Sequence, residues 1–265
     1  MPSQRFIPGI FNYCDYWCER CAFTLRCRNF QMGAELARAD RDENDAPAKR
    51  DAANASFWTA LAEQLNRPAG DWISDGADDF VLEPDPDWNE REKSRREAVR
   101  QHPLARMAMD YMQAVAQWLE GAQADLKAVA DEMVETARRP ISGDIEAEAL
   151  EIGEMLEVLT WYHTLIPPKL SRALDSRLEA MEPDDGEPEE LGEIRMADAN
   201  GSGRVALLAI ERSIAAWVRL RELVPAQEDA ILKMLVTLDR LRAGIHLALP
   251  GARDFHLPFL EGEPR

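Results

Sequence analysis

The chain has 265 residues, 46% of them hydrophobic and 30% charged, with a formal net charge of −18. That length supports one or two domains with a sizeable core. The acidic field excludes broad non-specific nucleic-acid binding and disfavours anionic membranes.

Residues 1–30 read as an irregular head. It carries Phe6, Phe11, Tyr13, Tyr16, Trp17, Phe23 and Phe30 together with every cysteine of the chain. Pro2, Pro8 and Gly9 predict loops or short turns around them. The stretch MPSQRFIPGIFNYCDYWC has no continuous apolar region of the kind a signal peptide needs. No run in the chain approaches the ~20 apolar residues of a membrane helix, so a cytoplasmic location is expected.

Residues 31–265 read as a helical bundle. ARADRDENDAPAKRDAAN begins as a solvated linker. PAKRDAANASFWTALAEQLNR then predicts a helix, with Pro47 in its first turn and Phe57, Trp58, Leu61 and Leu65 on one stripe. Pro68, Gly70, Gly76, Pro84 and Pro86 break the stretch that follows. The clearest helix runs from about Leu104 to Arg138, where Leu104, Met107, Tyr111, Val115, Trp118, Ala122, Leu126, Val129 and Met133 recur at steps of three and four. Pro140 and Gly143 end it. A second long helix starts near Asp144 on Ile145, Ile152, Met155, Leu159, Tyr162 and Ile166. Pro167 and Pro168 predict a kink or break there, because neither has an amide hydrogen and each ring clashes with the preceding turn. After KLSRALDSRLEAM, the Pro- and Gly-rich EPDDGEPEELGEIRMADANGSG predicts a mobile acidic loop near 181–202. Helices resume at RVALLAIERSIAAWVRLREL and AQEDAILKMLVTLDRLRAG, divided at Pro225, and LPGARDFHLPFLEGEPR predicts an extended tail. No strand alternation occurs. The expected fold is all-α, an antiparallel helical bundle with a short irregular N-terminal metal-binding head.

The four cysteines, Cys14, Cys18, Cys21 and Cys27, have the spacing C-x3-C-x2-C-x5-C within YCDYWCERCAFTLRC. A reducing compartment turns such a cluster from disulfides towards metal. Four thiolates complete the ligand shell of a tetrahedral zinc or of a cubane cluster. Cysteine-only zinc sites usually come as two C-x2-C pairs on separate arms, whereas here one pair has its partners close on either side. CERCAFTLRC resembles the cysteine element of the four-iron cluster in CRISPR-associated exonucleases and related helicase–nuclease subunits, over about ten residues. Phe23 takes the aromatic position; Ala22 stands where proline is common, and Cys14 is local instead of far upstream. The resemblance implies a 4Fe-4S cluster on these four thiols, and zinc is the alternative. The first three cysteines also share the spacing of radical S-adenosylmethionine enzymes, but Arg20 occupies their aromatic position and Cys27 is available to close the site. The chain as a whole resembles bacterial helical proteins that have no assigned activity.

Other candidates have simpler readings. Glu148, Glu151, Glu154 and Glu157 drift around a helix, and no Glu-x-x-His pair accompanies them, so a solvated face is expected. Trp161, Tyr162, His163, Lys169 and Arg172 flank the proline pair, where a broken helix would free backbone groups for a pocket. Asp198, Asn200 or Ser202 would cap the helix that starts nearby. HExxH, G-x-S-x-G and a complete phosphate-binding loop are absent from the sequence. The function expected is that of a non-catalytic iron–sulfur protein whose cluster staples the head while the helices face a protein partner. The rivals are a redox sensor or electron carrier, a zinc-stapled interaction module, and an enzyme working at the Trp161–Arg172 bend.

Overall fold

The computed structural model describes residues 6–43, 59, 87–137, 145–182 and 188–257. These form helices and turns and contain no strand, so the fold is all-α. The helices are α1 (Arg28–Glu43), α2 (Trp88–Gln101), α3 (Pro103–Gly121), α4 (Gln123–Ala137), α5 (Ile145–Met181), α6 (Glu189–Leu223) and α7 (Glu228–Ala248). The helix expected after Pro47 lies outside the described residues except for Thr59, and so does most of the proline-broken stretch that follows it.

The chain divides into two compact units. One takes in Met1–Phe11 and Cys18–Asn89, the other Asn12–Trp17 and Glu90–Arg265. The head is therefore shared: α1 goes with the first unit, while the short segment from Asn12 to Trp17 goes with the helices of the second.

In the second unit, α5 and α6 are the longest helices, with 37 and 35 residues. At about 1.5 Å per residue each spans roughly 50–55 Å. They run antiparallel. As α5 advances through Glu151, Tyr162, Arg172 and Glu179, the α6 partners fall back through Arg219, Arg212, Asp198 and Arg195. Helix α3 packs on α5 and α7, and α7 packs on α6. Leu159, Tyr162, Ile166, Leu170, Leu207, Ile210, Trp217, Leu220, Leu238 and Leu241 fill the common core. Trp217 sits edge-on to Trp118 at 4.7 Å. Its indole nitrogen donates to the Tyr111 hydroxyl at 3.0 Å, so the buried polar atoms of both rings are satisfied. Burial pushes the Tyr111 phenol up to about 12.

Three expectations are corrected by tertiary packing. First, of the kink or break expected at Pro167 and Pro168, the break does not occur: α5 continues through both. A proline inside a helix costs ~3 kcal/mol, but Ile166, Leu170, Ala173 and Leu174 on either side are fully buried. Burying several such side chains outweighs the two lost backbone bonds. Second, the acidic stretch expected to be a mobile loop is helical from Glu189 onwards, and Asn200, Gly201, Ser202 and Gly203 lie inside α6. The glycines weaken the helix by about 1 kcal/mol each relative to alanine, but they permit close packing. A Cβ at Gly203 would stand 2.8 Å from a Leu249 methyl and 3.1 Å from the Ala252 Cβ. Third, the helix expected to run unbroken from Leu104 ends first at Gly121, and α4 restarts at Gln123. At the joint, Gln227 accepts from the Trp118 indole at 3.0 Å and donates to Asp125.

Other boundaries match their local signals. His102 caps α3, accepting from the Leu104 amide at 3.2 Å, with Pro103 at the first helical position. Pro225 opens the short turn between α6 and α7. The expected extended tail instead begins with a 3-10 turn at Pro250–Ala252. No helix among the described residues is long and apolar enough to cross a membrane.

Ile210 is fully buried near the middle of α6. Ile210→Ala is expected to lower unfolding stability by about 2–5 kcal/mol. A urea titration should show a lower midpoint with an unchanged slope.

Candidate metal centre and its seat on the helices

Cys18 and Cys21 bracket a single 3-10 turn, closed by the Cys21 amide donating to the Cys18 carbonyl at 3.2 Å. A second turn, Thr24–Arg26, ends at Cys27, whose amide donates to the Thr24 carbonyl at 3.3 Å. The Gln31 side chain donates to that same carbonyl, and the Ile7 amide donates to the Arg26 carbonyl. These bonds define a small frame of consecutive tight turns. The Phe23 amide donates to the Cys21 sulfur at 3.4 Å. N–H groups directed at sulfur are a common feature around cysteine ligands of metal centres.

All four cysteines are half-buried and none forms a disulfide. The four are thiols, the donor type that zinc and iron–sulfur cores take. Cys14 belongs to the unit of the helices, whereas Cys18, Cys21 and Cys27 belong to the unit of the head. Among the described residues, no three His, Cys, Asp or Glu side chains stand together as metal ligands.

The residues beside Cys14 are held by α5 and α6. Asp15 is the anchor, and it is only 7% exposed. Its Oδ2 accepts from the Tyr162 hydroxyl and from the Arg212 guanidinium, both at 2.8 Å. Its Oδ1 accepts from the Trp17 amide at 3.2 Å, and its carbonyl accepts from the Trp161 indole at 2.9 Å. Arg212 also donates to the Tyr162 oxygen. A buried carboxylate needs this many partners, because an unpaired one would carry a large desolvation penalty. The Tyr162 phenol is pushed upward by burial and then by the Asp15 charge, while Arg212 opposes both.

Aromatic packing completes the seat. Trp17 stacks on Trp161 at 5.4 Å and meets Tyr162 edge-on at 5.6 Å. Tyr13 meets Phe255 edge-on at 5.0 Å. The Tyr13 ring lies so close to α6 that a Cβ on Gly201 would come within 2.6 Å of it. Between these anchors Tyr16 adopts φ 56°, a left-handed conformation that an aromatic residue rarely takes. Its ring covers the Lys169 ammonium at 4.6 Å.

The side chains expected to line a pocket at the proline pair are engaged elsewhere. His163 is buried, with Nδ1 2.8 Å from the Leu159 carbonyl, so the Nδ1–H tautomer donates within the helix. Arg172 forms a two-pronged pair with Asp198, which also accepts from Ser176 at 2.7 Å. Trp161, Tyr162 and Lys169 face the segment around Cys14 instead. Asp198 is thus a cross-helix acceptor rather than a cap. Of the glutamates on α5, Glu151 is paired with Arg219 through two bonds of 2.6 and 2.7 Å. An open cleft of about 610 Å³ borders α6, α7 and the C-terminal turn, where Arg204, Arg242 and Arg253 face Glu211, Asp239 and Asp254.

Sequence reasoning missed Asp15 and Arg212. Asp15 left one signal, an acidic residue enclosed by aromatic residues and cysteines; Arg212 left none. No family model, no curated protein and no solved structure matches the chain.

Gly201→Ala is expected to dislodge Tyr13, because the added Cβ would stand 2.6 Å from its ring and 2.9 Å from that of Phe255. Quenching of Tyr and Trp fluorescence by iodide should rise while helicity by circular dichroism is kept. A pH dependence follows from Asp198. Burial raises its pKa, but hydrogen bonds from Arg172 and Ser176 outweigh this and hold it below the ordinary value of 3.8. Its stabilising contribution is therefore complete above the unfolded-state value and disappears as pH falls below 3.8 towards the folded-state value. Asp198→Asn is expected to flatten the stability-versus-pH curve in that acid window, read as urea midpoints.

Proposed function

We propose that this chain is an iron–sulfur protein in which Cys14, Cys18, Cys21 and Cys27 hold a four-iron cluster. The cluster's role is structural: it staples the irregular head, and the helical body serves as the surface met by a protein partner. The observation that carries this reading is the complete four-thiolate set within one short stretch of an otherwise cysteine-free chain. The absence of disulfides among the four and the Phe23 amide aimed at the Cys21 sulfur support it. Zinc remains the alternative for the same donor set. The half-buried state of the cysteines favours one further reading, electron transfer or redox sensing, since a cluster near the surface exchanges electrons with a partner.

Purified without oxygen, the protein is expected to be brown and to absorb near about 400 nm. Cys21→Ser should remove both the colour and the bound iron. Colourless protein with one zinc per chain would establish the zinc-stapled module in its place. A cluster that cycles reversibly between oxidation states in the folded protein would favour the redox role over the structural one.

A further inference from the structure

The open cleft of about 610 Å³ beside α7 lies within the second unit and shares no lining residue with the seat of Asp15 and Trp17. Its charges are ordered by the helices that carry them. The short Pro225–Gln227 turn joins α6 to α7, and the two pack on each other, so they run antiparallel. A Cβ on Gly203 would stand 2.8 Å from a Leu249 methyl and 3.1 Å from the Ala252 Cβ, which sets the register. Arg204 on α6 is therefore near the level of His246 on α7, and Glu211 near the level of Asp239. Each step, from 204 to 211 and from 239 to 246, is about two turns, or about 10 Å. Arg253 follows Ala252 and so joins the Arg204 end. The cleft thus has a basic end, Arg204, His246 and Arg253, and an acidic end, Glu211 and Asp239.

The two ends do not satisfy each other. The Arg204 side chain is only 21% exposed, and its Nη1 stands 3.9 Å from the Glu211 carboxylate, beyond a hydrogen bond. Its Nε is buried and has no hydrogen-bond partner among the described residues. Arg242, between the ends, is held by Asp239 at 2.6 Å. A guanidinium largely removed from water without an acceptor carries a desolvation cost. A carboxylate is its natural complement, because the planar donor fork matches two carboxylate oxygens. Asp254, next to Arg253, opposes a dianion at this end. At the far end, exposed Glu211 suits an ammonium. Ala243 is the only apolar residue among the described residues of the lining, so recognition rests on charge and not on apolar side chains.

We propose that this cleft is a binding site for a short peptide of about three residues, with its C-terminal carboxylate on Arg204 and Arg253 and its N-terminal ammonium on Glu211 and Asp239. An extended chain covers at most ~3.3–3.6 Å per residue, so three residues bridge about 10 Å. The volume of the cleft is that of a small-ligand site. The site is independent of any metal on the cysteines.

The test is isothermal titration calorimetry on the full chain at low ionic strength, where charge recognition is least screened. The probes are trialanine, N-acetyl-trialanine, trialanine amide and inorganic phosphate. Trialanine is expected to bind at one site, and blocking either terminus should weaken it about tenfold. Arg204→Met should weaken trialanine about tenfold and leave trialanine amide unchanged, since the amide has already lost the carboxylate. Glu211→Gln should weaken trialanine and leave N-acetyl-trialanine unchanged. Should Arg204→Met fail to fold, Arg253→Met is held to the same outcomes. No binding of trialanine, or equal binding of the free and blocked peptides, overturns the proposal. Phosphate bound as tightly as trialanine overturns it too, in favour of a simple oxyanion site.

Discussion

The antiparallel apposition of α5 and α6 is the constraint on which the second unit depends. Its cross-links, from Glu151–Arg219 through Tyr162–Arg212 to Arg172–Asp198, succeed one another in opposite chain order. The apolar side chains between them are almost wholly buried. This shared burial keeps both helices intact across residues that would break an isolated helix. Pro167 and Pro168 each remove a backbone donor, and Gly201 and Gly203 each carry an entropic cost. The buried surface on both sides holds the register regardless.

The same pairing produces the seat for the N-terminal segment. Tyr162 and Arg212 come from different helices and converge on one carboxylate oxygen of Asp15. Neither helix alone would offer both donors. Once Asp15 is fixed, Trp17 is committed to Trp161, and the turn between them places Tyr16 in its left-handed conformation over Lys169. The strain at Tyr16 persists because bonds to both of its neighbours over-determine the turn. Cys14 immediately precedes Asp15 and belongs to the same unit as α5 and α6.

Electrostatics distinguishes this seat from the rest of an acidic protein. Lys169, Arg172 and Arg212 all face it from α5 and α6. Two of them are matched to carboxylates, Arg172 to Asp198 and Arg212 to Asp15. Lys169 is unmatched by any carboxylate among the described residues. In the polar cleft beside α7, three arginines and His246 face three carboxylates.

Local chemistry made the helical class legible: the apolar stripes along α3 and α5 and the division at Pro225 are each signals carried within a few residues. The clustering of the four cysteines was legible for the same reason, since they are neighbours in sequence. The continuity of α5 through its prolines and of α6 through its glycines was not, because the compensating burial comes from residues far along the chain. Asp15 and Arg212 were equally hidden: they are 197 positions apart and meet only once α6 has folded back on α5. Composition and periodicity along the chain were enough for the all-α class and for the clustering of the four cysteines in sequence. Tertiary packing settled which helices survive their breakers, which carboxylate anchors the segment from Asn12 to Trp17 and which lysine meets the Tyr16 ring, because each of those outcomes depends on side chains brought together by burial and not by proximity along the chain.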